Sequence, residues 1–133
     1  MDPDRLLDFA HRYTAAWCSQ NPVSVAAFFA PDGSLAVNNE PPAIGREAIT
    51  AVAQSFMTAF PDLRVTLDKV AAQNDGARYD WTLTGANTGL GGAGRTVRIS
   101  GFELWRFSDD GLIAASEGHF DAADYRRQLE KGI

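Results

Sequence analysis

Two acidic residues occur in sequence contexts that could support proton transfer. In the segment ARYDWTLTG, Asp80 follows Arg78 by two positions, so on a β-strand both side chains lie on one face. In the segment ISGFELWRF, Glu103 shares a strand face with Trp105 and Phe107. A neighbouring arginine favours the ionised form of a carboxyl group, whereas apolar surroundings raise its pKa. Two carboxyl groups in such different environments are typical of acid and base roles in one active site.

Each of these residues also has a simpler interpretation. Alternation alone puts the aromatic residues of the ARYDWTLTG strand in the core and Arg78 and Asp80 in water, where an ion pair contributes well under about 1 kcal/mol. Glu103 could pair with Arg95 or Arg98 at the rim of the sheet, and the sequence does not choose between this pairing and an apolar environment.

Three further residues qualify as candidates on weaker grounds. His119 and Asp121 lie two positions apart in GHFDAAD, but Asp121 with an acid three residues later is typical of a helix N-cap. The capping role of Asp121 is therefore the favoured interpretation, and His119 is then an ordinary strand residue. Tyr13 lies on the apolar stripe of a predicted helix, one turn before Trp17, where most tyrosines are packing residues.

The segment GLGGAG matches the G-x-G-x-x-G pattern of dinucleotide-binding loops, but a β pattern rather than a helix follows it. We interpret it as a long hairpin loop without a nucleotide site. The chain has one cysteine and two histidines, without the spacing of a metal site. The sequence therefore predicts neither a metal nor an organic cofactor.

Length and composition limit the class of protein. The 133 residues, 45% hydrophobic and 22% charged, predict one globular domain spanning 1–133. A net charge of −5 without any basic run argues against nucleic acid as a partner. No apolar run reaches the roughly 18–20 residues that span a bilayer, so no membrane association is expected. The N-terminal residues lack the apolar region of a signal peptide, and a cytoplasmic location is expected.

The elements that would position these candidates follow from hydrophobic periodicity. The pattern predicts helices over 3–20, from Pro22, over 45–60 and from Asp121, and strands over 34–38, 63–73, 77–88, 95–108 and 112–120. The turns 74–76 and 109–111 connect the last strands as hairpins. Helices followed by a run of hairpins indicate the α+β class.

Five segments together resemble one known superfamily: RYTAAW, FFAPDGSLAV, PPAIGREAI, RFSDDGLI and HFDAADYRRQL. In this order and spacing they are similar to the nuclear transport factor 2-like proteins, which include SnoaL-like polyketide cyclases, limonene-type epoxide hydrolases and ketosteroid isomerases. The resemblance covers nearly the whole chain. It implies a cone-shaped, curved antiparallel sheet wrapped around N-terminal helices and enclosing a pocket, often in a dimer.

The resemblance also implies roles for individual residues. Tyr13 and Glu103 match the residues that hydrogen-bond a substrate oxyanion in ketosteroid isomerases, although Val37 stands where their general base is expected. Arg78 and Asp80 match the acid pair of limonene-type epoxide hydrolases.

Other positions depart from the families' patterns. In the epoxide hydrolases the water-activating aspartate falls near Gly118, and their asparagine falls one position before Asn38. In the SnoaL-like cyclases a histidine is common where Asn87 stands, and their acid lies on the last strand, where only Glu117, His119 or Asp121 is near. No subfamily's set is complete.

These observations lead to one hypothesis and one alternative. The chain is expected to be a cofactor-independent enzyme that moves protons on a hydrophobic substrate, with Asp80 as the principal acid/base group, Arg78 beside it, and Tyr13 and Glu103 as hydrogen-bond donors. The residues expected to contact substrate are Trp17, Asn38, Phe56, Trp105, Phe107 and Phe120. The alternative is a non-catalytic ligand-binding or association domain.

The hypothesis has a consequence for the outer surface of the sheet. If Arg78 and Asp80 point into the pocket, Tyr79 and Trp81 point outward. An apolar patch of that size predicts a homodimer through the outer face of the sheet.

Overall fold

The computed structural model describes all residues from Met1 to Ile133. Its elements run along the chain in the order α1 (Pro3–Trp17), α2 (Pro22–Ala26), β1 (Phe29–Val37), β2 (Ala43–Ile44), α3 (Arg46–Ala59), β3 (Arg64–Gln73), β4 (Gly76–Ala86), β5 (Thr96–Phe107), β6 (Ile113–Phe120) and α4 (Ala122–Lys131). The predicted α+β class is confirmed. The two-residue strand β2 lies in a region that the sequence predicts as loop.

All six strands form one open sheet in the order β2-β1-β6-β5-β4-β3. Register shifts within the β1–β6, β3–β4 and β5–β6 pairs increase the local twist and bend, which curves the sheet around the helices. The expected curved sheet enclosing a pocket is therefore confirmed. One pairing differs from the expected antiparallel pattern, because β1 and β6 run parallel. The long connection between them, which includes α3 and two hairpins, permits a parallel pairing.

Helix α1 lies against the concave face of the sheet. Asp2 caps its first turn by accepting a hydrogen bond from the Arg5 amide at 2.8 Å, and Pro3 occupies the first position, where no amide hydrogen is needed. Its buried stripe consists of Leu6, Phe9, Ala10, Tyr13, Thr14, Ala16 and Trp17. Tyr13 is thereby held against the middle of the sheet.

The glycine-rich segment forms the loop of the β4–β5 hairpin, as predicted. The Asn87 amide donates to the carbonyl of Arg95 at 2.9 Å and so closes the loop. Gly91 and Gly94 have φ angles of +80° and +77°, a conformation that favours glycine. The glycines therefore serve chain reversal, and no helix follows them.

The orientation of β4 is the reverse of the one that the enzyme hypothesis requires. Tyr79 is 1% exposed and faces the helices, as does Trp81. Arg78 and Asp80 consequently lie on the outer face. The prediction that they point inward is wrong, because inward orientation would bury an ion pair and expose two aromatic rings. The outer apolar patch from which the homodimer was predicted is therefore absent. No helix is both long enough and apolar enough to cross a bilayer.

Candidate functional site

A pocket opens between the concave face of the sheet and helices α1 and α3. The cavity has a volume of about 60 Å³, which is room for a few water molecules. Eleven of its thirteen lining residues are hydrophobic, and Glu103 supplies the only carboxyl group. The lining residues are Trp17, Leu35, Val37, Val52, Phe56, Val65, Tyr79, Trp81, Leu83, Ile99, Glu103, Gly118 and Phe120.

Sheet register places Glu103 in the middle of one row of inward-facing residues. Tyr79 of β4 pairs with Glu103 of β5, which pairs with Gly118 of β6, which pairs with Val37 of β1. Side chains directly opposite one another on neighbouring strands lie about 5 Å apart at Cβ and share a face. Glu103 therefore has an aromatic ring on one side and an open position at Gly118 on the other.

Three side chains hold the Glu103 carboxyl group, and all of them donate hydrogen bonds to it. Ser116 Oγ lies 2.6 Å, the Tyr13 hydroxyl 2.9 Å and Trp105 Nε1 3.1 Å from Oε1. Oε2 has only a longer contact of 3.2 Å with the same Tyr13 hydroxyl. Because three donors already point at Oε1, a proton on this carboxyl group belongs on Oε2.

Burial and hydrogen bonding act in opposite directions on the pKa of Glu103. The three hydrogen bonds favour the carboxylate, but removal from water outweighs them and raises the pKa of Glu103 above its ordinary value. No basic side chain forms an ion pair with it, so the proposed pairing with Arg95 or Arg98 does not occur. Of the two environments that the sequence leaves open for Glu103, the structure shows the apolar one.

Tyr13 supports Glu103 from behind the pocket wall. Its side chain is fully buried, and burial together with the neighbouring Glu103 raises the pKa of its hydroxyl well above the ordinary range. Its ring packs edge-on against Tyr79 and Trp105, at centroid distances of 5.4 and 5.2 Å. Tyr13 is therefore a protonated donor directed at Glu103, and it does not line the pocket.

A second buried tyrosine has its own partner. Thr14 Oγ donates to the carbonyl of Ala10 at 2.7 Å, so the Tyr79 hydroxyl, 2.6 Å from Thr14 Oγ, acts as the donor to it. The Tyr79 ring stacks on Trp105 at 4.8 Å. Tyr79 therefore contributes its ring to the pocket wall, because its hydroxyl is hydrogen-bonded to Thr14.

Three of the six residues expected to contact substrate line the pocket: Trp17, Phe56 and Phe120. Trp105 and Phe107 do not. Trp105 lies behind the wall, where it stacks on Tyr79 and hydrogen-bonds Glu103, while Phe107 packs against Phe9 at 5.5 Å, nearer the start of α1.

Asn38, the sixth expected contact residue, also lies outside the pocket wall. It has a φ angle of +52° in the loop after β1, and its Oδ1 accepts a hydrogen bond from the Phe120 amide at 2.9 Å. Its side chain therefore fixes the end of β6 and does not face the cavity.

Arg78 and Asp80 form an ion pair on the outer face, with Arg78 Nη2 at 3.1 Å from Asp80 Oδ1. The Arg78 guanidinium also lies 3.8 Å from the centroid of the Phe102 ring, a cation–π contact. The thickness of the sheet separates this pair from the pocket. Arg78 and Asp80 therefore lie outside the apolar pocket, on the opposite face of the sheet from Glu103.

His119 and Asp121 also lie outside the pocket. The His119 ring packs against the Phe102 ring on the outer face, with their centroids 5.0 Å apart. Asp121 caps α4, its Oδ1 accepting from the Asp124 amide at 3.0 Å. His119 therefore packs against Phe102, and Asp121 caps α4. The two side chains do not face a common ligand position.

Ser116 is the site residue that the sequence analysis did not identify. It is 1% exposed and makes the shortest hydrogen bond to Glu103. The turn 109–111 could not have identified it, because the β5–β6 register shifts by one residue between Arg106 and Phe107, and this shift is what pairs Trp105 with Ser116 and Glu103 with Gly118. Ser116 pairs with Trp105, two residues after Glu103, so its hydroxyl lies on the same face as the carboxyl group and can donate to it.

Comparison with known proteins gives this geometry a context. The family described as SnoaL-like polyketide cyclase matches residues 7–129 of the chain. The chain belongs to this family. Among curated proteins, none matches the sequence. No group of three His, Cys, Asp or Glu side chains is arranged to hold a metal ion.

Several proteins of known structure have a fold similar to that of this SnoaL-like chain, and some of them are described as enzymes or enzyme-like proteins. A putative SnoaL-like polyketide cyclase from Jannaschia sp. CCS1 has a TM-score of 0.83 at 18% identity, covering 100% of this chain and 98% of that chain. A hypothetical protein with a ketosteroid isomerase-like fold from Catenulispora acidiphila, in complex with trimethylamine, has a TM-score of 0.81 at 18% identity, covering 92% of both chains.

A third neighbour is the epoxide hydrolase/cyclase-like enzyme SalBIII, described with a role in pyran ring formation in the polyether salinomycin. It has a TM-score of 0.80 at 14% identity, covering 92% of this chain and 95% of that chain. At these identities the likeness shows the fold. The expected membership of the nuclear transport factor 2-like superfamily is confirmed by the family match and these folds together.

Proposed function

We propose that this SnoaL-like protein is a cofactor-independent enzyme that transfers protons on a hydrophobic small molecule, with Glu103 as its catalytic acid. The observation that carries the proposal is one carboxyl group in the wall of an otherwise apolar pocket, held by three donors. A carboxyl group with a raised pKa in an apolar pocket is the arrangement that keeps an acid protonated for donation. Tyr13, Trp105 and Ser116 are its positioning residues.

The lining chemistry supports a neutral substrate with an acceptor oxygen. The lining contains no Arg, Lys or His, so a carboxylate or phosphate ligand would lose its hydration without gaining a counter-charge. A neutral Glu103 offers its Oε2 hydrogen to a carbonyl, ether or epoxide oxygen. The remainder of the ligand would contact the aromatic rings of Trp17, Phe56 and Phe120.

A single acid/base group favours ring closure or isomerisation over hydrolysis. Glu103 donates its proton to a substrate oxygen while a nucleophile of the same molecule attacks the adjacent carbon. The nucleophile then releases a proton, which the Glu103 carboxylate accepts, so the acid is regenerated and the product is an isomer of the substrate. Hydrolysis would need a second group to activate water, and no second carboxyl group or histidine lines this pocket.

Both the family description and the SalBIII neighbour include cyclase chemistry, which is consistent with this proposal. The competing proposal is a non-catalytic domain that binds a small ligand in the same pocket. The cytoplasmic location and the homodimer expected from the sequence stay predictions.

The experiment compares wild type with Glu103→Gln on a panel of hydroxy-epoxides and 1,5-diketones, with products identified by mass spectrometry. Cyclisation leaves the mass unchanged, whereas hydrolysis adds one water. We expect wild type to form isomers, and Glu103→Gln to lower the rate by about 10²–10⁴-fold, the contribution of a general acid. The rate should fall as pH rises through the raised pKa of Glu103, because the neutral form is the active one.

Asp80→Asn is the matched control, since it changes a carboxyl group on the opposite face of the same sheet. It should retain the wild-type rate. Equal rates for wild type and Glu103→Gln would refute the catalytic role. Ligand binding by wild type without turnover of any panel member would support the binding-domain alternative.

A further inference from the structure

Gly118 is the only residue without a side chain in the central row of the pocket. It is buried on β6 between Val37 of β1 and Glu103 of β5, and all three residues line the pocket. Inward neighbours on adjacent strands are about 5 Å apart at Cβ, so an atom above Gly118 lies within contact distance of the Glu103 side chain. We call the space above Gly118, between Val37 and Glu103, the Gly118 notch.

The surroundings of Gly118 show that the notch is open. A Cβ added there would lie 3.4 Å from the carbonyl oxygen of Ala36 and 3.8 Å from Glu103 Cγ, which are ordinary van der Waals distances. The backbone of Gly118 does not have the positive φ angle that favours glycine. Neither packing nor backbone conformation therefore requires glycine at this position.

Gly101, the next inward glycine, behaves differently. A Cβ there would lie 2.4 Å from the carbonyl oxygen of His119 and 2.6 Å from Trp81 Cζ2. The space beside Gly101 is thus already filled by protein atoms. The absence of a side chain serves close packing at Gly101, whereas at Gly118 it leaves room next to the Glu103 side chain.

We propose that Gly118 determines substrate specificity, because the Gly118 notch receives the part of the ligand that carries the reacting oxygen. The inference rests on the proposed function for the identity of that oxygen, but the notch is a binding feature in its own right. A ligand atom in the notch lies beside Glu103, with its approach limited by Val37 on the far side. Branched carbon next to the oxygen would add bulk on the side of Val37, so we expect the notch to favour an unhindered carbonyl or cyclic ether.

The test measures binding of cyclohexanone by quenching of tryptophan fluorescence, since Trp17 and Trp81 line the pocket. Gly118→Val fills the notch and should weaken cyclohexanone binding by about tenfold or more, and Gly118→Ala should have a smaller effect in the same direction. Ala115→Val is the control, because it adds bulk to the outer face of the same strand and should leave binding unchanged.

A second variant keeps the test valid if Gly118→Val also perturbs folding. Val37→Ala removes bulk from the other wall of the notch and should partly restore cyclohexanone binding in the Gly118→Val background. Wild-type affinity in both Gly118 variants, or no binding of cyclohexanone by wild type, would overturn the proposal.

The outcome is separable from that of the proposed function. Glu103→Gln retains an amide hydrogen that can replace the acid's donation, so it should bind cyclohexanone while losing turnover. Loss of binding in Gly118→Val with unimpaired turnover in Glu103→Gln would support the notch and refute the acid. The reverse result would support the acid and refute the notch.

Discussion

At the scale of single residues, Glu103 and Asp80 show how one sheet produces two unlike carboxyl groups. Both lie on neighbouring strands, but Glu103 faces the helices and Asp80 faces solvent. Glu103 loses its hydration and is left with neutral donors, so its pKa is raised. Asp80 keeps part of its hydration and has Arg78 beside it. Position on the sheet, rather than residue type, separates their chemistry.

Removing the charge of Asp80 should therefore have little effect on stability or turnover. The Arg78–Asp80 pair is partly exposed, with side-chain exposures of 40% and 27%, and pairs of this kind contribute about 0–1 kcal/mol. We expect Asp80→Asn to lower the free energy of unfolding by less than about 1 kcal/mol. Urea denaturation measures the stability, and the mass-spectrometric assay measures turnover. A loss of turnover with unchanged stability would show that Asp80 takes part in catalysis.

At the scale of elements, the β5–β6 hairpin brings Glu103 together with its neighbours in the pocket wall. Helix α4 begins at the end of that hairpin. The hairpin register brings Ser116 and Gly118 to Glu103. Helix α4 begins directly after Phe120, which lines the pocket, and Asp121 caps it. Asp121 thus caps the helix that follows the pocket-lining Phe120, and we expect it to take no part in the proposed chemistry.

Substitution of the cap tests this division. Asp121→Ala removes the acceptor for the Asp124 amide and should destabilise the protein by about 1 kcal/mol. Asp121→Asn is the control, because asparagine caps helices about as well as aspartate while lacking the charge. Thermal unfolding should separate the two variants, and both should retain turnover. Loss of turnover in Asp121→Asn would identify the carboxylate as catalytic.

At the scale of the whole molecule, the curved sheet encloses an acid whose protonation is coupled to folding. The folded state raises the pKa of Glu103, so between the ordinary glutamate pKa and the raised one the folded protein binds more protons than the unfolded chain. Stability from this group is therefore greatest at low pH and falls as pH rises through that window. Asp110 and Asp124 have lowered pKa values and contribute in the opposite direction.

A comparison of wild type with Glu103→Gln isolates the contribution of Glu103. Asp110 and Asp124 are present in both proteins, so their effects cancel in the difference. We expect the free energy of unfolding of Glu103→Gln to rise relative to wild type as pH increases through the raised pKa, because glutamine cannot ionise. Urea denaturation at a series of pH values gives both curves. A difference that does not vary with pH would contradict the shifted pKa.

Much of the fold could be predicted from the sequence, and less of the site. Strict alternation in β4 and β5, the turn at 109–111 and the apolar stripe of α1 predict elements whose bounds agree closely with those observed. The same alternation also favours placing Tyr79 and Trp81 inside. The resemblance to epoxide hydrolases led to the opposite orientation, and the cost of burying the Arg78–Asp80 pair explains why the simpler prediction is right.

Local periodicity in the sequence predicts the class of fold, but for Glu103 it leaves both an apolar environment and a pairing with Arg95 or Arg98 open. The orientation of the strands and the docking of α1 set which carboxyl group faces the pocket and what surrounds it. The three donors to Glu103 come from α1, β5 and β6, and the contact with Tyr13 joins residues 90 positions apart. Sheet register and helix docking create such contacts, and no local pattern records them. The same register places Gly118, which stands where epoxide hydrolases have an aspartate, next to Glu103 and leaves an open position there.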